Sequence, residues 1–113
     1  MHEYTIVQSM LDLCEKHAKG RKIDKVAVKI GRMSGIEPHF LKESFDVFKE
    51  ETVCESATME IDIIDIAIVC KDCGKEAVID SFNFFCPHCK GGNTEVLTGQ
   101  EMHIDYIELK EEK

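Results

Sequence analysis

The sequence has no apolar stretch long enough to cross a bilayer. Its longest uncharged runs, Tyr4 to Leu11 and Ser81 to Cys89, hold eight and nine residues, against the ~20 that a membrane helix requires. Positive charge is also scarce. Fourteen Lys and Arg face 22 Asp and Glu, a formal net charge of −8, so the average surface repels phosphate backbones and nucleic acid is disfavoured as a partner. No export leader is expected either, because the opening MHEYTIVQSMLDLCEKH carries Glu3, Asp12 and Glu15 where a signal peptide has a basic start and an unbroken apolar run. These absences predict a cytoplasmic protein without membrane association. No Ser, His and Asp arrangement, glycine-rich phosphate loop or close carboxylate pair stands out, and no enzyme is predicted. What is present is an ordinary folding composition, 43% hydrophobic and 32% charged over 113 residues, enough for one domain with a small appendage.

Apolar residues at Tyr4, Val7, Met10, Leu11, Cys14 and Ala18 follow the spacing of an amphipathic helix, which Gly20 stops. Val26, Val28 and Ile30 alternate as a strand. After the loop RMSGIE, Pro38 supplies a favourable first helical position, and Leu41, Phe45 and Phe48 mark one face of a second helix ending near Thr52. Met59, Ile61 and Ile63 form a second strand. Met102, Ile104, Ile107 and Leu109 form a third, whose slipped phase between Ile104 and Ile107 predicts a bulge or burial on both faces. The order predicts an α+β fold with two helices packed on a small three-stranded sheet. Its body is discontinuous, residues 1–65 with 100–113, and residues 66–99 are an inserted module too short to fold without a staple.

That staple is legible in the cysteines. Cys70 pairs with Cys73 and Cys86 with Cys89 in two CxxC turns separated by twelve residues, while Cys14 and Cys54 stand alone. Two residues between thiolates let one tight turn aim both sulfurs at a single ion, and four sulfurs suit tetrahedral zinc. The expectation is a structural zinc ribbon, its twelve-residue spacer folded as a hairpin that brings the turns together. With every position filled by protein, such a zinc has no open site for catalysis. His88 reads as an exposed knuckle residue, Cys14 as core packing and Cys54 as a loop thiol.

His2 offers different chemistry. The α-amine of Met1, the backbone nitrogen of His2 and its imidazole can close adjacent chelate rings around one ion, three nitrogens in a plane. A fourth donor completes the square that suits Ni(II) or Cu(II), and Glu3 and Glu37 are candidates.

The MHEYTIVQSM opening, the segment VAVKIGRMSGIEP and the two CxxC pairs before a last strand together resemble the HypA/HybF nickel-insertion proteins of nickel–iron hydrogenase maturation. The likeness covers nearly the whole chain. It implies a cytosolic metallochaperone with nickel at His2 and structural zinc at Cys70, Cys73, Cys86 and Cys89. It further implies a partner maturation GTPase, delivery to the hydrogenase large subunit, and in some bacteria service to urease and its maturation proteins. Some members carry a histidine directly after a CxxC pair, where this chain has Gly74 and Lys90, so a zinc-site switch using those histidines is not carried over. Two other readings share the cysteines: a nucleic-acid-binding zinc ribbon, which should show a basic face, and an iron-tetrathiolate redox module, which should be coloured.

Overall fold

A computed structural model describes residues 3–111. Helix α1, Glu3–Ala18, buries Ile6, Val7, Met10, Leu11, Cys14 and Ala18 along one face. Tyr4, expected on that face, is instead half exposed and meets Phe48 edge-on with ring centroids 4.5 Å apart. Ile6 takes its place in the core. Lys19 and Gly20 end the helix with φ of 52° and 85°, a left-handed turn of the kind glycine favours.

Strand β1, Ile23–Gly31, is the centre of a three-stranded sheet. It runs parallel to β2, Thr58–Ile64, and antiparallel to β6, Met102–Leu109. A parallel neighbour needs a crossover, and α2, Pro38–Phe48, provides it. Helix α2 stops four residues short of the expected Thr52. The Thr52 hydroxyl donates to the Lys49 carbonyl and accepts from the Cys54 N–H at 3.1 Å, a local arrangement that replaces the next helical turn. The slipped phase of β6 is a bulge: Ala27 faces Tyr106 and Val28 faces Ile104, leaving Asp105 unpaired. Both helices and the sheet share one core, with Phe45, Leu41, Ile23, Ile30 and Met59 fully buried in it.

A second, antiparallel sheet forms between β2 and β6 in the chain. Its central strand is β3, Ile66–Cys70, flanked by β4, Glu76–Ile79, and β5, Thr94–Thr98. The spacer between the CxxC pairs therefore does not fold as a hairpin. It contributes only β4, which pairs back onto β3 around the first CxxC turn. Ile66 and Ile68 offer the alternation β4 needs, whereas the rest of the spacer leaves Phe84 against the small core and Phe82 and Phe85 exposed.

The chain crosses between the two sheets twice, and both crossings are clasped by the end of β1. The Gly31 N–H donates to the Glu101 carbonyl at 2.7 Å, Arg32 N–H to Ile64 at 3.0 Å and Met33 N–H to Gly99 at 2.6 Å. Arg32 also pairs with Asp65, and the Met33 side chain packs onto the core of the second sheet. Gly31 lies so close to Gly99 that a Cβ would sit 2.1 Å from its carbonyl carbon. The molecule is elongated, 57 × 27 × 18 Å with a radius of gyration of 17.6 Å, against about 13 Å for a compact chain of this length.

Candidate metal centre

Two turns of the same design present the paired cysteines. In the first, Cys70 N–H donates to the Lys75 carbonyl at 2.9 Å and Gly74 N–H to the Cys70 carbonyl at 2.8 Å. In the second, Cys86 N–H donates to Gly91 at 2.8 Å and Lys90 N–H to Cys86 at 2.8 Å. Gly74 and Lys90 hold equivalent left-handed positions, φ 76° and 67°. Each turn points a backbone N–H at the leading sulfur, Cys73 to Cys70 Sγ and Cys89 to Cys86 Sγ, both at 3.5 Å. The turns are braced across the gap by Lys71 N–H to the Asn93 carbonyl at 2.8 Å and Asn93 Nδ2 to Asp72 Oδ1 at 3.2 Å.

The four sulfurs converge, with all ligand atoms within 4.8 Å of one another. Cys70 Sγ lies 3.5 Å from Cys89 Sγ, and Cys73 Sγ lies 3.7 Å from Cys86 Sγ. A zinc–sulfur bond of about 2.3 Å implies a tetrahedral S···S edge of about 3.8 Å, close to the 3.5 and 3.7 Å of these two pairs, so the four sulfurs are grouped as one tetrahedral ion would need. Cys70 and Cys86 are buried while Cys73 and Cys89 are exposed, placing the centre at the surface of the second sheet.

Thiol acidity across the cluster is uneven. N–H groups of Cys89 and His88 donate to Cys86 and hold its pKa down at about 6 despite burial and with help from Cys73 and Cys89. A backbone hydrogen bond from Gly91 draws Cys89 down, but the Cys70 thiol, burial and the other two thiols outweigh it and leave Cys89 at about 11. Four closely packed thiols cannot all ionise without a cation among them. A divalent soft-tolerant ion would supply that charge.

His88 is exposed and lies outside the group. Met1, His2 and the Glu3 side chain lie outside the described residues. Glu37 is exposed at the N-cap of α2, where its Oε1 accepts from His39 N–H at 3.0 Å. Cys14 and Cys54 take no part in the centre. Both are buried, Cys14 in the core as expected and Cys54 in the loop expected for it. Sequence reasoning passed over the Asp72–Asn93 brace and the Gly31–Met33 clasp, because neither polar pairs at a separation of 21 residues nor close backbone approaches leave a periodic signal.

Comparison with known proteins agrees along the whole chain. Residues 1–109 match the family described as "Hydrogenase/urease nickel incorporation, metallochaperone, hypA". The chain is 43% identical to the hydrogenase maturation factor HypA of Aquifex aeolicus, covering 97% of this chain and 98% of that protein. It is 40% identical to the Wolinella succinogenes protein of the same name, covering 99% and 98%. Among solved structures, the Ni metallochaperone HypA from Helicobacter pylori superposes with a TM-score of 0.69 at 33% identity, covering 99% of this chain and all of that one. A second solution structure of HypA gives 0.73 at 33% identity, with 97% of each chain covered. Sequence, fold and cysteine geometry converge: this chain belongs to the HypA family of hydrogenase and urease nickel-incorporation metallochaperones.

Proposed function

We propose that this protein binds Ni(II) at its N-terminus and helps insert it into nickel–iron hydrogenase during maturation, with urease as a further client, and that it performs no catalysis of its own. The observation that carries the reading is a four-sulfur centre in a chain that matches a nickel-incorporation family over residues 1–109. In this reading Cys70, Cys73, Cys86 and Cys89 hold a structural zinc. When bound, that ion supplies the charge that lets four thiolates pack together and orders a module with only a small apolar core. The cargo is held by the α-amine of Met1, the backbone nitrogen and imidazole of His2, and a carboxylate from Glu3 or Glu37.

Two units divide the work, residues 1–65 with 100–113 for nickel and 66–99 for zinc. A maturation GTPase and the hydrogenase large subunit receive the protein in the cytoplasm near α1 and the nickel end, since a donor must present its metal to the recipient. Among the described residues no helix is long and apolar enough to cross a membrane. Untagged protein purified without added metal and then titrated with nickel tests the reading. One zinc per chain in a colourless preparation, followed by uptake of one nickel, is expected. A coloured preparation containing iron would favour the redox module instead.

A further inference from the structure

Strand β6 is an edge of the first sheet, paired to β1 on one side only. None of its eight residues is buried, although Met102, Ile104, Ile107 and Leu109 pack against the main core. The cause is the placing of α1, which packs against α2 more than against β6 and leaves an open groove of about 820 Å³ beside the strand. Its walls are aliphatic, with Ile6, Met10 and Leu13 from the helix and Ile104, Ile107 and Leu109 from the strand. Leu13 is 46% exposed there. No Lys or Arg lines the groove. A free strand edge beside an unfilled apolar groove has the shape of a site for one more strand, whose backbone pairs with the edge while alternate side chains enter the groove.

Charge selects the occupant. Asp105, set out of the ladder by the bulge, lines the groove and has no ion pair among the described residues. At the far end of β6, Asp24, Glu108 and Glu111 line an open pocket in which Lys110 is the one cation. Lys25 engages Glu108 at 3.4 Å but leaves Asp24 and Glu111 unmatched. A second copy of β6 would set this carboxylate row against an identical one, which like charges oppose. A strand carrying Lys or Arg is attracted to it instead. We propose that the β6 edge and the α1–β6 groove bind an extended segment of a partner protein, with aliphatic residues at alternate positions facing the groove and Lys or Arg between them. The segment adds a fourth strand to the sheet. Its main-chain groups pair with the open edge, its aliphatic side chains cover Leu13 and Ile104, and its cations meet Asp105 and the acidic end of the strand. Nickel takes no part in this contact.

The test adds a fluorescein-labelled peptide of alternating Val and Lys to zinc-loaded, full-length protein at about 150 mM salt, without nickel, so that its failure leaves the cargo site untouched. Two comparison peptides replace every Lys by Glu, or methylate every amide nitrogen, which keeps the charge and removes the donors a strand needs. Anisotropy should rise with the Val and Lys peptide, and binding should weaken at least about tenfold for each comparison peptide. Amide exchange in β6 should slow when the peptide binds, with α2 and the zinc unit unchanged. Asp105→Asn and Leu13→Gln should each weaken binding about fivefold, whereas Glu50→Gln, at an exposed carboxylate in the turn after α2, should not. Equal binding of the Lys peptide and its methylated form, the result of unspecific attraction to an acidic protein, would overturn the proposal on wild-type protein alone. So would β6 exchange that millimolar peptide leaves unchanged, or a dimer whose β6 amides are protected without any peptide.

Discussion

Gly74 and Lys90 occupy the same place in the two CxxC turns, and only one of them suits it. A left-handed backbone costs a side-chain-bearing residue roughly 1 kcal/mol relative to glycine, so Lys90, at φ 67°, carries strain that Gly74 does not. Lys90→Gly should raise the stability of the zinc unit by about 1 kcal/mol, and Gly74→Ala should lower it by a similar amount; chelator-driven zinc release followed over time reads both. The Cys73 sulfur is exposed, yet it is one of four that meet. Cys73→Ala should leave three thiolates, open the ion to water and competing chelators, and give a protein purified with little or no zinc. Full zinc occupancy in that variant would remove Cys73 from the ligand set. Nickel binding should follow the reference ionisations of its nitrogens, ~6.5 for imidazole and ~7.7 to 8.0 for an α-amine. Protons compete for these donors, so affinity is retained above these values and falls steeply below about pH 6.5. A calorimetric pH series reads that slope.

Most elements were legible because their apolar periods are clean. β1 buries Val26, Val28 and Ile30 as its alternation marks, and α1, α2 and β2 bury most of the marked face but leave Tyr4, Phe48 and Ile63 at its ends exposed, while the phase slip at Ile104 to Ile107 announced the Asp105 bulge. The errors share a physical cause. Tyr4, the end of α2 and the partner of β4 were all decided by a tertiary or side-chain contact: Phe48 for Tyr4, Thr52 for the helix end, and Ile66 and Ile68 for the strand. Of the metal centre, the four cysteines were readable from spacing alone; Cys54 is a loop thiol as its position indicated, and its full burial was not legible because a loop's burial has no sequence period. The clasp at the end of β1 was invisible for a similar reason. It joins the units through backbone groups and two glycines, and a methyl at Gly31 would overlap Gly99. Gly31→Ala should therefore cost about 3 kcal/mol in urea unfolding, at the upper end of the usual overpacking penalty, because backbone rather than a flexible side chain must yield.

The whole molecule is an elongated pair of cores joined at that clasp, and the cores differ in self-sufficiency. Both helices and the first sheet share a cluster containing Phe45, Leu41 and Met59, whereas the second sheet rests on Ile66, Ile68 and Ile79 with a few partly buried neighbours. Chelation should accordingly disorder residues 66–99 while the rest stays folded, seen as loss of amide protection confined to β3, β4 and β5. Simultaneous loss across α1 and β1 would mean that the clasp makes one cooperative body of both. With a net charge of −8, the protein should show no micromolar affinity for DNA or RNA at ~150 mM salt, which a fluorescence anisotropy titration checks. The claim on which the functional reading turns is the N-terminal cargo site, and calorimetric nickel titration of zinc-loaded wild-type and His2→Gln protein, both without a tag, tests it most directly. The account predicts one nickel bound by the wild type and none by the variant, with zinc content and fold unchanged. Uptake of one nickel by His2→Gln with undiminished affinity would contradict it and turn attention to His39 and His103.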